Sequence, residues 1–598
     1  MKATLDLWPI GNCQVSALVD RAGRMVWGCV PRVDGDPLFS ALLDDKADED
    51  ADACGFWEIA LDECVATEQH YLRNTPVLVT RQTDARGNAI EIVDFCPRFR
   101  SKGRMYRPVA FARIVRPLSG SPRIRVRLRP AMNWGGEAPG RTRGSNHIRF
   151  LLPDLTLRLT TTASPEAVES ERPFRVEHPL HFFLGPDERF SDDLRFGLDA
   201  MLERTIEEWR QWVRGLATPL EWQEAVIRAA ITLKLCQHEE SGAIVAALTT
   251  SIPENAGSQR NWDYRYCWIR DAYFTVQALN RLGALDVLES YLEYLRNIVD
   301  GARGGHIQPL YGVGGEARLE ERVAPGLPGY RGMGPVRVGN DAYRQVQHDA
   351  YGQIVLSNVQ AFFDQRLYRV AGVEDFAALE PVGERAWIAH DQPDAGLWEL
   401  RTRAHVHTYS SVMCWAACDR LASAAQALGI EDRRQFWQQR ADTVRARIEQ
   451  AAWRPDTARM SATFEADDLD ASILQLLELR FFEPGDVRFR STLDAVETGL
   501  RRGSHMLRYA TEDDFGLPET AFNVCTFWLI EALHATGRLD EARALFEEML
   551  SRRTAAGLLS EDIDPVTGEL WGNYPQTYSL VGLINSAALL SKPWSSVR

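Results

Sequence analysis

The chain has 598 residues and a formal net charge of −15, with 45% hydrophobic and 25% charged residues. That length exceeds the roughly 250–300 residues at which one hydrophobic core stops growing, so two or more domains are expected. Scattered Lys and Arg in an acidic chain argue against a nucleic-acid or anionic-membrane partner, and no run reaches the roughly 18 apolar residues of a membrane span.

The opening residues Met1-Lys2-Ala3-Thr4-Leu5-Asp6 carry no apolar core of a secretory signal, and the ten cysteines include no CxxC pair. A cytoplasmic protein with reduced thiols is the expectation. Residues 1–195 then hold short alternating or β-branched runs between turn residues: Cys13–Val19, Val77–Thr80, Ile90–Phe95, Ala110–Val115, Ile124–Leu128, His147–Leu152 and Leu155–Thr161. Such spacing, without long helical periodicity, predicts an N-terminal antiparallel β-sandwich.

A helical stretch from about Asp193 to Arg214, with Trp209 and Trp212, reads as a linker over 196–216. Across 217–598 the period is helical. The segments are 221–238, 271–282, 284–299, 350–371, 375–390, 408–427, 431–452, 468–478, 490–498, 520–536, 539–551 and 576–591. Helices in such succession predict hairpins closed into an all-α (α/α)6 toroid. An open solenoid is the alternative, and no fixed-period repeat supports it.

Asn261-Trp262-Asp263-Tyr264-Arg265-Tyr266-Cys267-Trp268-Ile269-Arg270-Asp271 precedes the second helical segment. Pyranose rings have apolar C–H faces and a rim of hydroxyls, so aromatic planes beside fixed charges suit a sugar pocket. Arg270 and Asp271 could bond two hydroxyls of one terminal sugar, with Trp268 as a wall. A buried Arg–Asp pair among packing aromatics is the plain alternative. The link from Gly301 to Gly339 holds eleven glycines and is expected at a pocket rim.

Further on, Asp394-Ala395-Gly396-Leu397-Trp398-Glu399-Leu400-Arg401 sets a carboxyl beside an aromatic plane at a turn. Partial desolvation would raise the pKa of Glu399 and suit it to general-acid work, whereas a surface pair with Arg401 or Arg403 is the plain alternative. Cys414 and Cys418 sit i, i+4, but no nearby His or Cys completes a metal site, so packing is expected and no metal or cofactor is assigned. N-capping accounts for the acids of Thr511-Glu512-Asp513-Asp514-Phe515-Gly516-Leu517-Pro518-Glu519. In Leu559-Ser560-Glu561-Asp562-Ile563-Asp564-Pro565, Glu561 could hold and deprotonate a water; a solvated acidic turn is the alternative.

Together these strings resemble the glucoamylase-like glycoside hydrolases of family 15, in the bacterial branch of glucoamylases, trehalases and glucodextranases. The likeness runs from Ile10-Gly11-Asn12-Cys13 and Trp27-Gly28-Cys29-Val30-Pro31-Arg32 through the Asn261–Asp271 string and Gly396-Leu397-Trp398-Glu399. It ends at Gly516-Leu517-Pro518-Glu519 and Gly572-Asn573-Tyr574-Pro575-Gln576. The resemblance implies a β-sandwich on a catalytic toroid, with Glu399 as general acid and Glu561 as general base. It also implies that Arg270 and Asp271 hold the non-reducing terminal glucose, with Trp268 and Trp398 lining its subsite. The implied reaction is inverting, exo-acting release of β-glucose from a short α-linked glucosaccharide, with carboxyls about 6.5–9.5 Å apart.

The chain departs from the family pattern at Leu400, where fungal members carry a second Glu, at Ser411, where bacterial relatives have Lys, and at Leu580, commonly His. These positions leave maltooligosaccharide, isomaltose and trehalose open as substrates. A disaccharide phosphorylase and an inactive sugar-binding toroid are the other classes, and Glu561 argues against both. Oligomeric state is open, and a homo-oligomer is compatible with the chain.

Overall fold

The structure is a computed structural model that describes residues 3–44, 53–190 and 193–597; Met1 and Lys2 of the opening segment lie outside them. The strand-rich half forms two antiparallel sheets. Trp8–Gly11, Ser16–Val19, Met25–Val30, Phe56–Leu61, Arg123–Arg129 and Phe174–Arg175 lie in one, with Asp36–Phe39 beside Met25–Val30. The other is eight-stranded and runs from Gly140–Arg143 at one edge to Cys64–Tyr71 at the other. Alternation places the apolar residues inward, as in Arg123–Arg129, where Ile124, Val126 and Leu128 are buried between arginines. One charged group crosses that core. Arg113 donates to Asp94 (2.8 Å) in its own sheet and to the Trp57 carbonyl (2.9 Å) in the facing one, so the buried guanidinium bonds both sheets.

After the short helix α1 (Pro165–Glu169) comes α2 (Leu194–Arg214), the stretch expected as a linker. It is a packed layer: Leu194, Leu198 and Leu202 cover Val79, Val93 and Ile114 of the eight-stranded sheet. Farther along, Trp209 and Val213 meet Ile231 and Leu235 of the helical half.

The helical half comprises α3 (Gln223–Leu235), α4 (Ile269–Arg281), α5 (Leu285–Ala302), α6 (Asp349–Val359), α7 (Val373–Ala389), α8 (Thr408–Ala427) and α9 (Glu431–Ala452). It continues with α10 (Gln475–Glu478, extended by a 3-10 turn from Ala471), α11 (Val487–Leu500), α12 (Asn523–Ala535), α13 (Leu539–Ser551) and α14 (Thr577–Leu590). The even-numbered helices α4 to α14 pack side by side into a closed ring, α14 returning to α4, and the odd-numbered ones lie outside it. This is an (α/α)6 toroid, and the closure excludes the open solenoid. Burial follows position. Outer α9 buries one stripe, Trp437, Ala441, Val444 and Ile448, whereas inner α8 is buried on every side from Thr408 to Cys418.

One expectation needs correction. The segment expected as a helix over 350–371 ends at Val359 and passes through a 3-10 turn. Asp364 accepts from the Arg366 amide and from the Gln360 side chain, so an Asx-type turn takes over the backbone. The glycine-rich link 301–339, expected at the pocket rim, reaches it at Glu321 and Arg337, which meet the lining residues Arg401 and Trp262. It folds between the two halves, where Gly329 donates to the Leu43 carbonyl and Tyr330 is buried, and the wall begins just after it, at Asn340.

Candidate active site

Every inner helix starts on the same side of the ring, and the loops leading into these starts enclose a cavity with about 820 Å³ of non-atom space, counting its open mouth. All six residues singled out from the sequence line it: Trp268, Arg270, Asp271, Trp398, Glu399 and Glu561.

Trp268 precedes α4 and pairs in a short ladder with Leu310, and Arg270 and Asp271 occupy the first turn of the helix. The Arg270 guanidinium donates to Gln347 (2.9 Å), Asp349 (3.1 Å) and Glu399 (3.1 Å). No Arg270–Asp271 ion pair forms among the described residues. Burial first, and then the Glu399 charge, push the Asp271 carboxyl up to about 7 against the pull of Arg270.

Glu399 ends a tight turn whose amide donates to the Gly396 carbonyl (3.1 Å). Gly396 has φ +66°, and a Cβ there would lie 2.7 Å from the His407 ring, so only glycine fits. Glu399 itself has φ 61°, a left-handed backbone that costs a non-glycine residue on the order of 1 kcal/mol. Its Oε1 accepts from Trp268 Nε1 (2.5 Å) and from Arg270, not from Arg401, which pairs with Glu321 instead. No protein group donates to Oε2 among the described residues. Trp398 turns its Nε1 to Asp470 (2.7 Å) and packs on Phe522 and Trp528.

Glu561 is no solvated turn residue. It is buried beside a three-stranded ladder formed by Ala521–Phe522, Asp562–Ile563 and Leu570–Trp571. A Cβ at Gly572 would meet the Glu561 Cβ at 2.6 Å, so glycine makes room for this side chain. Tyr264 donates its hydroxyl to Glu561 Oε1 (2.8 Å), and the Tyr264 ring packs edge-on against Trp268 at 5.3 Å. One aromatic pair, spaced i, i+4 in the Asn261–Asp271 string, thus holds one glutamate at each polar tip.

Charge around Glu561 is crowded. Burial, and then repulsion from Asp562 and Glu254, push its carboxyl well above the usual range, while Tyr264 and Arg508 oppose them. Arg508 donates to Glu254 at 2.6 Å.

Several lining residues were not assigned from sequence. Tyr264 and Trp262 stood in the motif without roles, and Arg260 immediately precedes it. Trp262 lies under the guanidinium of Arg401, whose carbon is 4.1 Å from the ring centroid, and faces Arg337 at 5.0 Å. The acidic loop read as helix capping does other work: Asp513 takes a bidentate bond from Arg260 (2.5 and 2.7 Å), and Asp514 accepts from the Arg401 amide (2.5 Å). Glu254 and Arg508 had no local signal at all.

The arrangement can hold a sugar against aromatic walls and present two carboxyls to it, one fixed beside a guanidinium and one in a dry, acid-rich recess. A model of the family described as glycosyl hydrolases family 15 matches residues 222–588. A trehalase of Thermoplasma volcanium is 30% identical over an alignment covering 98% of this chain and 93% of that protein. A trehalase of Mycolicibacterium smegmatis is 32% identical, covering 96% and 89%. Among solved structures, a bacterial glucoamylase in complex with acarbose superposes with a TM-score of 0.68 at 12% identity, over 98% of this chain and 93% of that one, a likeness of fold.

Proposed function

Because the chain belongs to glycosyl hydrolase family 15, and is therefore a glycoside hydrolase, we propose that it cleaves trehalose with inversion at one anomeric carbon. Glu399 gives its proton to the glycosidic oxygen as the C1–O bond breaks. Glu561 takes a proton from the water whose oxygen bonds C1 from the opposite face. The attacked half leaves as β-glucose and the other half as α-glucose. Arg270 and Asp271 hold hydroxyls of the attacked glucose, and Trp268 and Trp398 fix its plane.

The observation that carries this reading is that two glutamates 162 positions apart open into one cavity, tied together by the Tyr264–Trp268 pair. The choice of trehalose over other α-glucosides rests on full-length similarity to trehalases. It also fits the leaving-group side, where Leu400 offers no second carboxylate and Trp262 and Arg401 present a stacked aromatic–guanidinium surface.

A panel of trehalose, maltose and isomaltose, followed by NMR for released sugar with and without phosphate, tests this reading. Trehalose is expected to lead in kcat/KM by at least about tenfold, a discrimination within reach of one pocket contact, with no dependence on phosphate. Phosphate-dependent formation of glucose 1-phosphate would make it a phosphorylase, and a lead for maltose or isomaltose would overturn the substrate.

A further inference from the structure

Beneath the catalytic pocket the ring is not packed solid. A second cavity, with about 860 Å³ of non-atom space counting its open mouth, lies among α4, α10, α12 and α14. Tyr578 lines both spaces and separates them.

A void left by poor packing is apolar and dry. This one is lined by polar groups without partners. Gln475 is only 3% exposed, yet its side-chain amide makes no hydrogen bond among the described residues. The Tyr578 hydroxyl and the Asn585 carbonyl oxygen are likewise buried and unpartnered. A buried polar atom left without a partner, as at Tyr578 and Asn585, is unfavourable unless something bonds it. Beside them, Trp528 and Phe274 offer aromatic faces. Burial, and then the charge of Glu478, push the Glu531 carboxyl up to about 8, against Arg281 and a hydrogen bond from the Asn585 side chain.

Amides, a hydroxyl and aromatic planes together match a ring with apolar C–H faces and several hydroxyls. We propose that this cavity is a second, non-catalytic binding site for a neutral, hexose-sized polyhydroxylated ligand such as glucose, and that it shares Tyr578 with the catalytic pocket. Because Tyr578 stands close to the charges of Arg270 and Asp271, occupancy is felt at the floor of the catalytic subsite. The proposal goes beyond the hydrolytic reading and survives without it: glucose bound here in a protein that hydrolysed nothing would leave it intact.

D-glucose is the probe, and equilibrium dialysis against the Glu561→Gln protein is the experiment. Gln475→Leu and Asn585→Leu, each in that background, are expected to lose one equivalent of bound glucose, or to weaken it more than tenfold. The catalytic-pocket equivalent stays and reports a folded protein. Glucose binding that neither substitution alters overturns the proposal. Crystals of the Glu561→Gln protein soaked in glucose decide it without any cavity variant: a pyranose between Trp528 and Gln475 supports the site, and ordered water alone at saturating glucose refutes it.

Discussion

Glu561→Gln is expected to lower kcat on trehalose by about 10²- to 10⁴-fold while KM changes little, because a general base acts in the transition state and not in ground-state binding. The substitution is close to isosteric, and the amide oxygen can still accept from Tyr264, whose bond to Glu561 is 2.8 Å. Lost folding does not account for such a result. Since the folded-state pKa of Glu561 is raised, its ionisation opposes folding: stability falls as pH rises from the unfolded value through the folded one. Removing the carboxyl removes that penalty, so the variant should match or exceed the wild-type melting temperature above the unfolded value, increasingly so as pH rises. The same shift sets the pH profile. Below its pKa Glu561 is protonated and cannot take a proton from water, so the acid limb of wild-type kcat/KM should lie above the ordinary carboxylate range. In the variant's residual activity that limb should be absent. A preserved kcat with a greatly raised KM would remove Glu561 from the base role.

Arg270→Ala should damage folding and turnover together. The guanidinium meets Asp349 and Glu399, each at 3.1 Å, and Asp349 is fully buried. Truncation strands that carboxylate, a loss on the order of 3–5 kcal/mol for a broken buried pair. It also frees Glu399 from one of the two donors on its Oε1. We expect kcat/KM to fall by about 10²- to 10³-fold on trehalose and any other α-glucoside alike, since the terminal glucose is common to all of them. Arg270→Lys restores a charge but not two-pronged donation, so it should recover melting temperature more than turnover. Steady-state kinetics and thermal melts on the two variants check this. A loss confined to one substrate would place Arg270 on the leaving-group side.

Amphipathic outer helices could be read from sequence almost to the residue, as α8's neighbour α9 at Glu431–Ala452 and α13 at Leu539–Ser551 illustrate. Their single apolar stripe at helical spacing is a local signal. The overrun past Val359 came from an apolar run that continues after a side chain has taken over the backbone. Some strands were unreadable for the opposite reason: Met25–Val30 is buried on both faces and Cys64–Tyr71 is largely exposed on both, so neither alternates.

Legibility in the site divides the same way. Trp268, Arg270 and Asp271 fall within four residues, and Trp398 and Glu399 adjoin, so each group carried its own aromatic-plus-charge signature. Glu254 and Arg508 are single charged residues in unremarkable stretches, and they meet at 2.6 Å only because the ring closes. Asp513 looked like a helix cap because the acid was visible and its partner, Arg260, lay 253 positions away.

The stereochemistry of the first turnovers tests the central claim most directly. With trehalose, hydrolysis by Glu399 and Glu561 on opposite faces of one anomeric carbon should give α- and β-glucose in equal initial amounts by proton NMR, before mutarotation mixes them. Formation of α-glucose alone would require retention at the attacked carbon and would contradict the assignment of Glu399 as acid and Glu561 as base.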